Sequence, residues 1–196
     1  MARAEDPAGR ERILRAATEL FYVNGVRAVG TADVIAAAGC GKNMLYRHFP
    51  GKAALAAAYL RGVRAERDKA TATALAAHRA VGSAAVNAGA GAGGAGAGAG
   101  ELVALVGEVA AWVSRADFRG CAFRNYLTEF PGADDEPAHV AQAYLRDTRR
   151  QVDDLVAGLG APAVTADRIW LLIDALYAGT GTPPRVAVDW ASELVG

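Results

Sequence analysis

The chain of 196 residues has two cysteines, three histidines and no net charge, and each scarcity excludes a class of protein. Cys40 and Cys121 are too few for a disulfide framework, and no Cys/His cluster has metal-ligand spacing, so neither a metal nor a cofactor is expected. No uninterrupted apolar run reaches the roughly 18 residues of a membrane-spanning helix. The first residues are charged and polar and lack the apolar stretch of a signal peptide. A cytoplasmic protein with no membrane partner is therefore expected. Aromatic residues make up only 7% of the chain, and much of its 53% hydrophobic content is alanine, which buries little area per residue. The core must be sought where branched and aromatic residues cluster. No segment alternates apolar and polar residues as a half-buried strand would.

Zero net charge conceals an uneven distribution. Residues 1–69 carry 12 Lys/Arg against 7 Asp/Glu, and the remainder carries 9 against 14. A basic N-terminal third on an acidic body suits a small anion-binding module joined to a domain with another task.

The periodic segments are helical, and they predict an all-α fold of about nine helices. Asp6–Pro7 opens the first helix with a capping acid and a proline at the first helical position. Ile13, Leu14, Ala17, Leu20 and Phe21 give it one apolar face, and Asn24–Gly25 ends it. Thr31 can cap a second, short helix carrying Val34, Ile35 and Ala38. Gly39-Cys40-Gly41 breaks it, and a third short helix follows from Lys42 to His48. Pro50–Gly51 then starts a longer helix with Leu55, Tyr59, Leu60 and Val63 facing inward, continuing toward Ala77. Residues 82–100 are so rich in Ala and Gly that a flexible connector is expected, because glycine at nearly every second position opposes a helix. Beyond it, helices are expected over Glu101–Ala116, Gly120–Phe130, Pro137–Leu159, Thr165–Ala178 and Pro184–Val195. The acids Asp134-Asp135-Glu136 suit a helix N-terminus.

Two short helices joined by a glycine-containing turn and preceded by a packed amphipathic helix are what a helix-turn-helix requires. Ile35, Ala38, Leu45 and Phe49 can lock the pair, with Ile13, Ala17 and Leu20 as the platform. Lys42, Asn43, Met44, Tyr46, Arg47 and His48 are then left to project outward. Lys42 and Arg47 suit phosphates or guanine edges, Asn43 suits adenine, and Met44 suits a thymine methyl. Tyr46 and His48 can donate to phosphate oxygens. Thr31 with the amides that follow it forms a further phosphate site, and Lys52 adds a positive charge.

These residues carry a specific resemblance. Arg12-Ile13-Leu14-Arg15-Ala16-Ala17, Leu20-Phe21, Asn24-Gly25 and Thr31 before Val34-Ile35-Ala36 occur in order. Ala38-Gly39-Cys40-Gly41, Leu45-Tyr46-Arg47-His48-Phe49 and Lys52 with Leu55 follow them. Residues 10–60 thus resemble the DNA-binding domain of the tetracycline-repressor (TetR) family of bacterial transcriptional regulators. The resemblance implies a DNA-binding domain over residues 1–51 and a larger helical domain over 52–196 for dimerisation and effector binding. It implies that Tyr46, His48, Lys52 and Thr31 meet the DNA backbone and that Lys42, Asn43 and Met44 lie nearest the bases. Gly41 departs from the family pattern, which has a small hydroxyl residue before the recognition helix. Met44 also stands where a smaller residue is common.

For the larger domain, the resemblance implies a homodimer and a ligand pocket, and the residues allow both. Ile169, Leu172, Ile173, Leu176, Val188, Trp190 and Leu194 on the last two helices can form a four-helix interface or monomer core. Trp112, Phe118, Phe123, Tyr126, Leu127, Phe130, Tyr144 and Trp170 can line a pocket for an apolar or aromatic ligand, or fill the core. The functional expectation is a homodimeric repressor released from a palindromic operator by such a ligand. A regulator acting through a protein partner is the alternative. A helical enzyme with Cys121 as nucleophile is the remote one, since His48, His78 and His139 show no partnered signature, and no enzyme is expected.

Overall fold

A computed structural model describes residues 6–87, 94–179, 181 and 183–196, with side chains described outside 81–97. Among these residues there are nine helices and no strand: α1 (Pro7–Asn24), α2 (Thr31–Ala38), α3 (Lys42–His48), α4 (Lys52–Asn87), α5 (Gly94–Val113), α6 (Ala122–Glu129), α7 (Glu136–Gly158), α8 (Ala163–Ala178) and α9 (Pro184–Val195). No described helix is long and apolar enough to cross a membrane, and no described group of three or more His, Cys, Asp or Glu could hold a metal ion. The helices pack as two compact units. One joins residues 1–65 with 121–145, and the other joins 66–120 with 146–196. This division is by packing and differs in kind from the functional boundary expected after residue 51.

In the first unit, α1 begins as expected. Asp6 Oδ1 accepts from the Gly9 amide at 2.9 Å, with Pro7 at the first helical position. This removes one of the four orphan donors of the helix N-terminus. Ile13, Ala17 and Phe21 of α1, Val34 and Ala38 of α2, Leu45 of α3 and Phe49 just after it are buried, as are Leu55 and Tyr59 of α4, and α1, α2 and α3 pack on one another. Phe21 and Tyr59 meet edge to face, with centroids 5.7 Å apart. Val26 and Val29, in the α1–α2 loop, are also buried. The α6–α7 part of this unit is built on aromatic stacking. Phe123 lies on Tyr144 at 3.8 Å, and Tyr126 lies on Phe130 at 4.7 Å. The carboxylate of Asp135 accepts from the Tyr126 hydroxyl at 2.9 Å and from the Ala138 amide at 3.0 Å, so one side chain caps α7 and ties it to α6.

In the second unit, α5, α8 and α9 enclose a core of Leu102, Leu105, Val106, Val109, Ile169, Ile173, Leu176, Ala187 and Ala191, joined by Val152 and Val156 of α7. Arg67 of α4 is buried and forms a two-pronged pair with Glu108 of α5, one contact being 2.8 Å. Its guanidinium also lies 4.5 Å from the Trp112 ring centroid. Arg149 of α7 joins Asp153 at 2.9 Å and Asp167 of α8 at 2.6 Å.

The Ala/Gly-rich stretch departs from expectation on both flanks. Residues 82–87 continue α4 and Gly94–Gly100 open α5; residues 88–93 lie outside the described residues. Glycine weakens a helix intrinsically, but packing decides here. A Cβ on Gly98 would lie 2.8 Å from Leu159, and one on Gly100 would overlap the His78 ring. Glycine at these two positions lets α5 approach its neighbours, and burial of Leu102, Leu105 and Val106 just downstream holds the turn in place.

Candidate nucleic-acid interface

The turn between α2 and α3 is shaped by Gly39, in the left-handed conformation at φ 57° and ψ 42°. Its amide donates to the Ala36 carbonyl and the Cys40 amide donates to the Ile35 carbonyl, each at 3.2 Å, which is a Schellman closure. The chain then reverses through Cys40 to Gly41, the N-cap of α3. Gly41 has no side chain with which to cap α3; its carbonyl accepts from the amides of Met44 at 2.9 Å and Leu45 at 3.3 Å.

The start of α2 differs from expectation. The N-cap is Gly30 rather than Thr31, which is already the first helical residue. The cap is built in reverse: Asp33 folds back and its Oδ2 accepts from the Gly30 amide at 2.7 Å. Glycine is a tolerated N-cap, and the acid in the first turn favours the helix dipole. Thr31 is thereby relieved of the capping role and is half-buried.

Leu45 and Phe49 are buried beneath α3, as their spacing predicts. On the outer side Lys42, Asn43, Tyr46 and Arg47 are exposed, Tyr46 by 42%. The Lys42 ammonium lies 5.9 Å from the Tyr46 ring centroid, keeping both on one face. Arg12 of α1 fastens the whole element: its Nε donates to the Ala38 carbonyl at 3.0 Å, at the end of α2. Arg10 lies over Phe49 at 5.1 Å.

Three residues expected on this face are placed differently in detail. Met44 is half-buried, with its sulfur 3.6 Å from Arg12 Nη2 and near Gly9, so it leans toward α1. His48 is half-buried and turns Nε2 into the protein, where no partner for it is found among the described residues. Lys52, the first residue of α4, directs its ammonium to the Arg27 carbonyl at 3.1 Å. That contact spans 25 residues and had no local signal in the sequence.

The residues expected to line a ligand pocket fall in both units. Phe123, Tyr126, Leu127, Phe130 and Tyr144 belong to the first and largely stack on one another; Trp112 and Trp170 belong to the second. Trp112 is flanked by Arg67 at 4.5 Å and Arg115 at 4.8 Å. A cavity of about 440 Å³ lies in the second unit, lined by residues that include Val113, Phe118, Leu172, Leu176, Pro183 and Trp190. Of the aromatic set, Phe118 alone borders it. Among the residues expected at a dimer interface, Ile169, Ile173 and Leu176 are buried in the unit's own core. Leu172, Val188 and Leu194 are half-buried, and Trp190 is 56% exposed. Leu171, which the helical periodicity did not single out, is 64% exposed beside them. Its exposure depends on which face of α8 the core of the unit takes.

An α-helical platform carrying a Schellman-closed turn and a polar, basic second helix has the architecture of a helix-turn-helix. Residues 13–59 match the family described as bacterial regulatory proteins, tetR family. Over these residues the chain is similar to the N-terminal domain of that family. Solved structures share the fold over nearly the whole chain. A TetR-family regulator of Streptomyces coelicolor is 24% identical, with a TM-score of 0.74 over 96% of this chain and 93% of its own. A TetR regulator of Chloroflexus aurantiacus is 21% identical, with a TM-score of 0.72 over 95% and 93%. A multidrug binding protein, EbrR, solved with imidazole, is 20% identical, with a TM-score of 0.60 over 97% and 92%. No curated protein matches the chain.

Proposed function

We propose that this regulator is a homodimeric repressor whose two α3 helices enter successive major grooves of a palindromic operator, and that a small apolar ligand releases it. The observation that carries the reading is the exposed face of α3, with Lys42, Asn43, Tyr46 and Arg47 in solvent over buried Leu45 and Phe49. Arg47 and Lys42 supply charge to phosphates or guanine edges, and Asn43 is the residue best suited to adenine. Tyr46, itself exposed, serves a phosphate, as do Thr31, Lys52 and His48 at the margins. Met44 touches bases only from the edge of the face.

Dimerisation is assigned to α8 and α9, where Leu171, Leu172, Trp190 and Leu194 line an apolar groove bordered by Arg168 and Glu193. A two-fold contact would bury these side chains against their own copies. The cavity of about 440 Å³ beside α5, α8 and α9 is of a size for a small ligand and has mainly apolar walls. A ligand there shifts DNA affinity only if it favours one conformation of the dimer over another.

Selection of bound duplexes from a random pool tests the reading. The expected product is an inverted repeat whose half-sites lie about one helical turn apart. Arg47→Ala and Tyr46→Phe should weaken binding to it without lowering the melting temperature. No enrichment over random DNA at moderate salt would refute the proposal.

A further inference from the structure

The loop between α1 and α2 is built around a side chain from a distant part of the sequence, Glu129 at the end of α6. Glu129 Oε2 accepts from the Arg27 amide at 2.6 Å, and the Glu129 carbonyl accepts from the Arg27 guanidinium. The same guanidinium lies 4.9 Å from the Phe130 ring centroid. A Cβ on Gly25 would come within 2.8 Å of Glu129 Oε1, so only glycine leaves room for the carboxylate there. On its other side, the Arg27 carbonyl accepts from Lys52 Nζ at 3.1 Å. A continuous chain thus runs from the end of α6, through one residue of the loop, to the ammonium at the start of α4. All of these residues belong to one compact unit.

We infer that Glu129 is a positioning residue for DNA binding: by fixing the peptide of Arg27 it aims the Lys52 ammonium at a phosphate. This rests on the proposed role of Lys52 as a backbone contact. An ammonium has three donors, and the Arg27 carbonyl engages one, leaving two for phosphate oxygens. Without Glu129 the loop loses its acceptor for the Arg27 amide, and Lys52 loses the fixed carbonyl that orients it. Removing a carboxylate near DNA would by simple charge strengthen binding. The positioning role calls for the opposite sign.

The test is the salt dependence of binding to the duplex that the wild-type protein selects from a random pool. Each phosphate contact contributes about 0.9 to the slope of log affinity against log salt. Glu129→Ala, present in both protomers of the proposed homodimer, should weaken binding and make the slope shallower by about 1.8, two contacts' worth, as Lys52→Ala should. The double variant should lose no more slope than either single one. Glu129→Gln, which keeps an acceptor for the Arg27 amide but loses the charge, should retain the wild-type slope. Partial unfolding would reduce the active fraction and leave the slope unchanged, and circular dichroism on each variant reports it directly. A wild-type slope in Glu129→Ala, additive slopes in the double variant, or an unchanged slope in Lys52→Ala overturns the inference. If the wild-type protein itself selects no duplex, the operator-binding proposal fails instead.

Discussion

Removing one partner of the buried Arg67–Glu108 pair should cost far more stability than removing both. The Arg67 side chain is only 4% exposed and that of Glu108 13%, so neither charge can return to water while the fold persists. The pair is two-pronged, and the guanidinium rests on Trp112 at 4.5 Å. Glu108→Ala leaves the cation buried without its carboxylate, a change that costs about 3–5 kcal/mol. For a chain of this length, roughly 2–4 °C of melting temperature accompanies each kcal/mol, so the midpoint should fall by about 6–20 °C. Arg67→Met combined with Glu108→Leu removes both charges at similar volume and should recover most of that loss. Urea unfolding followed by circular dichroism, at one fixed protein concentration because dimerisation would add to stability, measures all three proteins. A double variant no more stable than Glu108→Ala would refute the reasoning, because loss of this carboxylate beside a buried cation would then not be the dominant cost.

Three other outcomes follow from the same geometry. Leu45→Ala, beneath the recognition helix and fully buried, should destabilise the protein by about 2–5 kcal/mol, measured by chemical unfolding; a loss below 1 kcal/mol would mean that the site collapses around the gap. Hydrogen bonds from Arg79 hold the Glu101 carboxyl below its usual pKa, so its contribution is fully present above the unfolded value and is lost as pH falls through the lowered one. Arg79→Ala should flatten that acid limb of a stability–pH profile, and an identical limb in the variant would count against the assignment. Trp190→Glu, on the exposed face of α9, should shift the protein toward monomer in sedimentation or size-exclusion measurements while leaving its helicity unchanged; a dimer that persists at low concentration would place the interface elsewhere.

Local rules were enough for the helical class, the Asp6–Pro7 start, the Gly39 turn and the buried pair Leu45 and Phe49, because capping, left-handed glycine and 3.6-residue periodicity act over a few residues. They were also enough for the resemblance over residues 10–60, whose framework positions are closely spaced in sequence. Tertiary structure decided what depends on distant partners. Arg12 draws Met44 toward α1, Asp33 displaces Thr31 as the cap of α2, and the Arg27 carbonyl accepts a hydrogen bond from the Lys52 ammonium. Packing also turned the edges of the Ala/Gly-rich stretch into helix, since Gly98 and Gly100 permit approaches that their poor helix propensity alone would never suggest. The helix-turn-helix was legible in the sequence because its architecture is local. The aim of each side chain upon it was not, because that is set by residues up to 102 positions away, as between Arg27 and Glu129.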